Sequence, residues 1–193
     1  MLWLLGCLHA VHPVDGAPTP RLEGSLSVEL PDGWEVKVNH RAFGNHHLLL
    51  NSPDPSTQVT IDLVREAKQT RSLDLLIVGE GYALDHGRSL GIQAAVTGHH
   101  RLEVDNREAW AITTLRKHGP HERMQFTVVL RGSEHLAILS LHTLPQADPS
   151  VAADWGQILD SFHLMGDPAP DLPPFARDAE MELSIDNLPD IPQ

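Results

Sequence analysis

Residues 107–144 read REAWAITTLRKHGPHERMQFTVVLRGSEHLAILSLHTL, a run of three apolar-rich segments separated by two short glycine-containing turns. The segments are Arg107–Lys117, Glu122–Arg131 and Glu134–Leu144. In the middle segment Met124, Phe126, Val128 and Leu130 share one face, and Gln125, Thr127 and Arg131 share the other. Alternation with a period of two is typical of a half-buried antiparallel strand. The stretch therefore predicts a three-stranded antiparallel meander.

More strands are predicted on the N-terminal side of this meander. A strand near His99–Val104 enters it through the turn pair Asp105-Asn106. Two other strand patterns lie at His46–Asn51 and Gln58–Val64, and the prolines between them cannot continue a hydrogen-bonded ladder.

The first predicted strands flank a turn sequence. Apolar residues alternate over Leu26–Leu30 and again at Val36 and Val38, on either side of Pro-Asp-Gly at 31–33. Such a pattern predicts a β-hairpin.

Two helices complete the pattern. The first is predicted from Ser72, a serine N-cap, with apolar residues at helical spacing, namely Leu73, Leu76, Ile77 and Leu84. Its two glycines, Gly79 and Gly81, each cost about 1 kcal/mol relative to alanine. The second begins with Asp148 as N-cap and Pro149 in the first turn. Its predicted apolar stripe is Val151, Trp155, Ile158, Leu159 and Phe162.

These elements predict an α+β domain over residues 25–165, with an antiparallel sheet of about six to seven strands packed by two main helices. The rest of the chain is predicted to divide into a signal-like segment at 1–7, a flexible tether at 8–24 and an acidic, proline-rich disordered tail at 166–193.

The order of the elements and several short motifs resemble the PsbP/DcrB-like superfamily. The motifs are Pro31-Asp32-Gly33-Trp34, Arg107-Glu108-Ala109 and Ile158-Leu159-Asp160-Ser161-Phe162. The resemblance covers about 140 residues and implies an α/β/α sandwich of the PsbP type. It also implies a role among mostly non-enzymatic accessory, assembly and binding proteins, some of which are envelope lipoproteins and others effector chaperones of type VI secretion. It carries over no catalytic residue and no cofactor.

The charge of the chain argues against a nucleic-acid partner. The formal net charge is −12, so the chain lacks the basic surface that neutralising phosphates requires. The single cysteine, Cys7, rules out an intramolecular disulfide.

The N-terminus resembles a bacterial lipobox. Leu4-Leu5-Gly6-Cys7 has the small residue before a cysteine that is lipidated after signal cleavage. The apolar run before Cys7 is shorter than that of an ordinary secretory signal and lacks a positive charge. The chance occurrence of such a tetrapeptide stays open as the alternative.

Partner-binding residues are predicted at two places. In the acidic tail the apolar residues Phe175, Met181, Leu183 and Ile185 could dock on a partner, against the alternative of a solvated tail. Trp34, beside a turn, is expected in the core or at a binding rim, whereas Trp110 and Trp155 are expected in the core or at its edge.

The histidines do not form a recognised metal motif. His118 and His121 bracket a turn and could clasp a metal with Glu122, but no HExxH or spaced Cys/His set occurs, so we predict no metal site.

The leading hypothesis is a non-enzymatic envelope lipoprotein, anchored to the membrane through Cys7, that binds an unknown protein partner. The alternatives are a cytosolic DcrB-like effector chaperone or adaptor and, last, a metal-dependent enzyme.

Overall fold

The structure is a computed structural model that describes residues 21–22, 25–67, 70–85, 92–118 and 120–165. Cys7 and the predicted tail-docking residues lie outside these ranges. The strands are β1 (Arg21–Leu22), β2 (Leu26–Glu29), β3 (Glu35–Ala42), β4 (Asn45–Asn51), β5 (Gln58–Arg65), β6 (Gln93–Val104), β7 (Arg107–His118), β8 (His121–Arg131), β9 (His135–Thr143) and β10 (His163–Leu164). The helices are α1 (Leu75–Asp85) and α2 (Pro149–Ser161), with a short 3₁₀ turn at Thr70–Ser72.

Seven strands form one antiparallel sheet in the order β3-β4-β5-β9-β8-β7-β6. The predicted meander is confirmed as β7, β8 and β9, and the strand before it is longer than predicted, beginning at Gln93. Asp105 and Asn106 both have positive φ and turn β6 into β7, as predicted. A smaller sheet has the order β1-β2-β10.

One face of the large sheet carries the main core. Leucine, isoleucine and valine side chains from β4, β5, β8 and β9 pack there against α2 and β2. Asp148 caps α2 by accepting a hydrogen bond from Ser150 N, and Pro149 is the first helical residue. Ile158 and Phe162 are fully buried, so the predicted stripe of this helix is confirmed.

The opposite face of the sheet packs against α1. Ala83 is buried together with Ile112, Val129, Leu136 and Ile138 in a second, smaller core. The sheet therefore has a helix on each side, which confirms the predicted α+β sandwich.

The predicted first hairpin is wrong in its pairing. β2 pairs with β1 and β10, whereas β3 pairs with β4, so the two predicted arms lie in different sheets. The turn itself forms, with Trp34 N donating to Pro31 O. Alternation and turn chemistry fix the local backbone, but they do not choose the strand partner. Here β2 is buried at Leu26, Ser27 and Val28 and is held by the strand that follows α2.

The start of the first helix also differs from the prediction. Ser72 lies in the 3₁₀ turn, and the side chain of Asp74 accepts the hydrogen bond from Leu76 N. Asp74 therefore caps α1, two residues later than predicted, because its carboxylate reaches the free amide of the first turn.

Candidate functional site

The α1 side of the sheet changes from apolar to polar along its strands. Cross-strand pairing sets Thr60, Ser140 and Thr127 in one row, and His142 and Gln125 in the next. All five side chains are buried. Beside α1, this row of hydroxyls gives way to the apolar pair Ile138 and Val129.

A cleft of about 190 Å³ opens at this transition, between the sheet and α1. We call it the polar cleft, and its lining residues are Thr60, Asp62, Val64, Tyr82, Gln125, Thr127, Ile138 and Ser140. These residues come from three neighbouring strands, β5, β9 and β8, and from α1, so the strand register and the position of α1 set the geometry of the cleft.

Hydrogen bonds within the polar cleft fix the side chains of Gln125, Thr127 and Ser140 relative to one another. Gln125 Nε2 donates to Thr127 Oγ1 at 2.8 Å and to Ser140 Oγ at 3.4 Å. The two hydroxyls lie 3.1 Å apart. Gln125 is only 2% exposed, and its Oε1 has no hydrogen-bond partner among the described residues. A buried acceptor without a partner costs free energy, and a donor from a ligand would remove that cost.

Asp62 supplies the charge of the polar cleft. Its carboxylate is about one-third exposed, and Oδ1 lies 2.6 Å from His47 Nδ1 on the neighbouring strand. Asp62 is the one acidic residue among those that line the cleft.

Tyr82 joins the polar cleft to the surface of α1. Burial raises the pKa of the Tyr82 hydroxyl, and the negative charges of Asp62 and Glu66 raise it further. The phenol therefore stays protonated at neutral pH, and its ring is partly exposed at the mouth of the cleft.

The outer surface of α1 is apolar. Ile77 is 62% exposed and Leu84 37%, and Leu73, two residues before the helix, is 46% exposed; we call these three residues the α1 stripe. Ile77 and Leu84 are seven residues apart and therefore share one face of the helix. Gly81 lies between them, and a Cβ at this position would contact nothing within 4 Å, so the surface between the two side chains is open.

Two arginines from the sheet hold α1 in place. Arg131 forms a buried ion pair with Glu66 and donates to Thr70 O, just before the helix. Arg116 donates to Ala83 O at 2.9 Å, in the last turn of α1. Cations near the last carbonyls of a helix are favourable, so the last turn of α1 and the 3₁₀ turn that precedes this helix are both fixed to the sheet.

Trp34 does not offer a surface to a partner. It is 5% exposed and its Nε1 donates to Asp154 Oδ2 of α2 at 2.8 Å. Of the two positions expected for Trp34, the core is confirmed and the binding rim is corrected, because its ring packs in the main core and its Nε1–H is used by Asp154.

The adjacent histidines His46 and His47 point to opposite faces of β4. His46 is buried between Ser25 and Asn39 on the α2 side, whereas His47 contacts Asp62 on the α1 side. On β6, the ring of His99 contacts Trp110 edge-on, with 5.7 Å between ring centres. Within the described ranges, no three His, Cys, Asp or Glu side chains come together as metal ligands. The side chain of His118 is outside the description.

The polar cleft was not predicted from the sequence. Gln125 and Thr127 are read from the pattern as the solvent face of a half-buried strand, but they are 2% and 1% exposed. The signal is that polar residues pair with polar residues across three neighbouring strands. Thr60 on β5 pairs with Ser140 on β9, and Ser140 pairs with Thr127 on β8. Recognising this row requires the strand register, which the sequence does not supply.

Comparisons with known proteins establish the fold. No protein-family model matches the chain, and no curated protein matches it in sequence. The solution structure of cyanobacterial PsbP (CyanoP) from Synechocystis sp. PCC 6803 is similar with a TM-score of 0.61 and 15% identity, covering 82% of this chain and 99% of that one. A mutant of the protein Mog1 is similar with a TM-score of 0.55 and 9% identity, covering 78% and 97%. The chain therefore has a PsbP/Mog1-like fold, as the sequence resemblance predicts.

Proposed function

We propose that the chain is a non-enzymatic accessory or assembly module that binds a protein partner through the α1 side of its sheet. We further propose that a lipidated Cys7 tethers it in the bacterial cell envelope. The observation that carries the binding role is the α1 stripe beside the polar cleft.

The exposed apolar residues are concentrated on this side. Of the seven large apolar side chains that are exposed in the described ranges, four lie at positions 73–84. The other three, Phe43, Leu144 and Met165, are scattered over other segments. Single exposed apolar residues are ordinary, but a contiguous apolar surface with a polar rim is typical of an interaction site.

The charge around the α1 stripe selects the kind of partner. Asp74, Glu80 and Asp85 lie on or beside α1, and residues 73–85 contain no lysine or arginine. Asp62 adds a negative charge in the polar cleft. Charge complementarity therefore favours a partner surface with an apolar centre and a basic rim.

The rigidity of α1 supports a binding role. A helix fixed by Arg116 and Arg131 presents its apolar side chains without an ordering step, and less entropy is lost on association.

Site-specific photo-crosslinking tests the binding role. A benzophenone amino acid is placed at Ile77 and, as a control of similar character, at Leu144, which is 40% exposed at the end of β9. We expect one discrete adduct from position 77 in cells of the native source and none from position 144. The proposal is wrong if both positions give the same adducts or if position 77 gives none.

Intact-mass analysis of the membrane fraction tests the tether. We expect a chain cleaved before Cys7 and carrying a lipid adduct, with several acyl chains because a single chain binds membranes only marginally. The Cys7→Ser variant should be absent from that fraction. No helix in the described part of the chain is long and apolar enough to cross a membrane.

The alternative function, a cytosolic chaperone or adaptor for a secreted effector, uses the same surface. The α1 stripe supports this alternative, because an apolar segment of an effector could cover the exposed side chains of Ile77 and Leu84. An unmodified Cys7 in the soluble fraction, together with an effector crosslinked at position 77, would replace the lipoprotein proposal with this one.

A further inference from the structure

We infer that the polar cleft is a pocket for one basic side chain, a lysine or arginine that the partner inserts beside the α1 stripe. The inference rests on the proposed function, because it names the chemistry that a partner on this face must carry.

The size of the polar cleft fits one side chain. Its volume is about 190 Å³, whereas clefts for complete small-molecule ligands span about 300–1,000 Å³. A lysine or arginine side chain is long and thin, and it combines an apolar stem with a charged end.

The walls of the polar cleft match both parts of such a side chain. Val64 and Ile138 offer apolar contact for the methylene groups. Deeper polar groups come from Thr60, Gln125 and Ser140, which are all buried. The ring of Tyr82 lies at the mouth of the cleft. Aromatic rings attract cations through their faces.

Two acceptors in the polar cleft select a donor-rich cation. The amide of Gln125 is held through its Nε2 by Thr127 and Ser140, which leaves Oε1 unpartnered in a residue that is 2% exposed. The carboxylate of Asp62 has Oδ1 near His47, and its second oxygen remains as an acceptor for a ligand. An ammonium or guanidinium group would donate to one of these acceptors and be attracted by the negative charge or dipole of the other, and charge-assisted bonds are stronger than neutral ones.

The pocket and the apolar surface are contiguous. Tyr82 lines the polar cleft and is two residues from Leu84 of the α1 stripe. A partner segment with apolar residues on Ile77 and Leu84 therefore brings a neighbouring side chain to the mouth of the cleft.

Titration of the ¹⁵N-labelled protein with capped amino acids tests this inference without the partner. The probes are the N-acetyl methylamides of lysine, arginine, norleucine and glutamate. Norleucine keeps the stem of lysine without the charge. We expect the two basic probes to shift the amide signals of Thr60, Asp62, Gln125, Thr127 and Ser140 with saturable millimolar affinity, and norleucine to bind about tenfold more weakly.

Two variants and one control locate the effect. Asp62→Asn removes the charge, and Gln125→Leu removes the unpartnered acceptor, so each should weaken the basic probes about tenfold. Asp160→Asn removes an exposed acid on α2, on the other side of the sheet, and should leave the affinity unchanged. Unchanged spectra elsewhere in each variant show that the fold is intact.

Equal binding of norleucine, tighter binding of glutamate or no saturable shift with the basic probes would overturn the inference. These outcomes are separate from the crosslinking test. A discrete adduct from position 77 with no binding of the basic probes would support the proposed function and reject the pocket. Binding of the basic probes without an adduct would support the pocket and reject the proposed function.

Discussion

The two faces of the large sheet are built differently. On the α2 side, aliphatic side chains from four strands meet an amphipathic, capped helix in one continuous core. On the α1 side, a small apolar cluster adjoins buried threonine, serine and glutamine side chains, and the covering helix exposes Ile77 and Leu84. Since the α2 side holds the larger apolar core and buried polar groups add little net stability, the α2 side contributes more of the stability of the domain, and the α1 side can carry a binding surface.

The largest effect expected from this comparison is a truncation on the α2 side. Phe162→Ala should lower the free energy of unfolding by about 3–5 kcal/mol, because the fully buried ring leaves a cavity in the main core. Ile77→Ala, on the α1 stripe, should change it by less than about 0.5 kcal/mol. Urea unfolding followed by circular dichroism measures both. A large loss for Ile77→Ala would mean that the α1 stripe is part of the folding core.

A smaller effect separates the two glycines of α1. A Cβ at Gly79 would lie 2.5 Å from Ile112 Cδ1 and 2.7 Å from Val129 Cγ2, so Gly79→Ala should cost about 1–3 kcal/mol. Gly81→Ala meets open space and should raise the stability by about 1 kcal/mol through helix propensity. Thermal unfolding of the pair checks the sign of each change. Equal shifts would show that α1 does not approach the sheet as closely as described.

The smallest effect concerns a titrating group on the α2 side. Burial lowers the pKa of His46 from its ordinary 6.5, and the nearby Arg41 and His47 lower it further. The unfolded chain therefore binds a proton at this residue more readily than the folded one. The contribution of His46 is full above pH 6.5 and falls as the pH drops from 6.5 through the lower folded pKa.

His46→Gln keeps hydrogen-bonding capacity toward Ser25 and Asn39 but does not titrate. The variant should lose less stability than the parent chain between neutral pH and mild acid, and urea unfolding at several pH values measures the difference. Parallel curves for the two proteins would refute the assignment of this loss to His46.

The parts of the fold that depend on local chemistry could be predicted from the sequence. The meander follows from period-two alternation, and α2 follows from Asp148, Pro149 and the stripe that ends at Phe162. The pairing of β2 with β10 could not be predicted, because the partner strand lies more than 130 residues along the chain.

The candidate site was harder to predict than the fold for the same reason. The exposed Ile77 has the helical spacing of a core residue, and the buried Gln125 occupies the polar face of its strand. The burial of both residues is predicted wrongly from the sequence, because the position of α1 across β7 and β8 decides which side chains are covered. Gly79 permits α1 to approach β7 and β8 closely. In the sequence alone, this glycine indicates only a weaker helix.

Binding of the crosslinked partner to an α1 variant tests the central claim most directly. Ile77→Glu places a charge in the apolar stripe, and Leu144→Glu is the matched control on another segment. By isothermal titration calorimetry with the purified partner, we expect Ile77→Glu to weaken binding at least about tenfold with an unchanged free energy of unfolding, and Leu144→Glu to have no effect. Undiminished binding by Ile77→Glu would contradict the assignment of the α1 side as the binding surface.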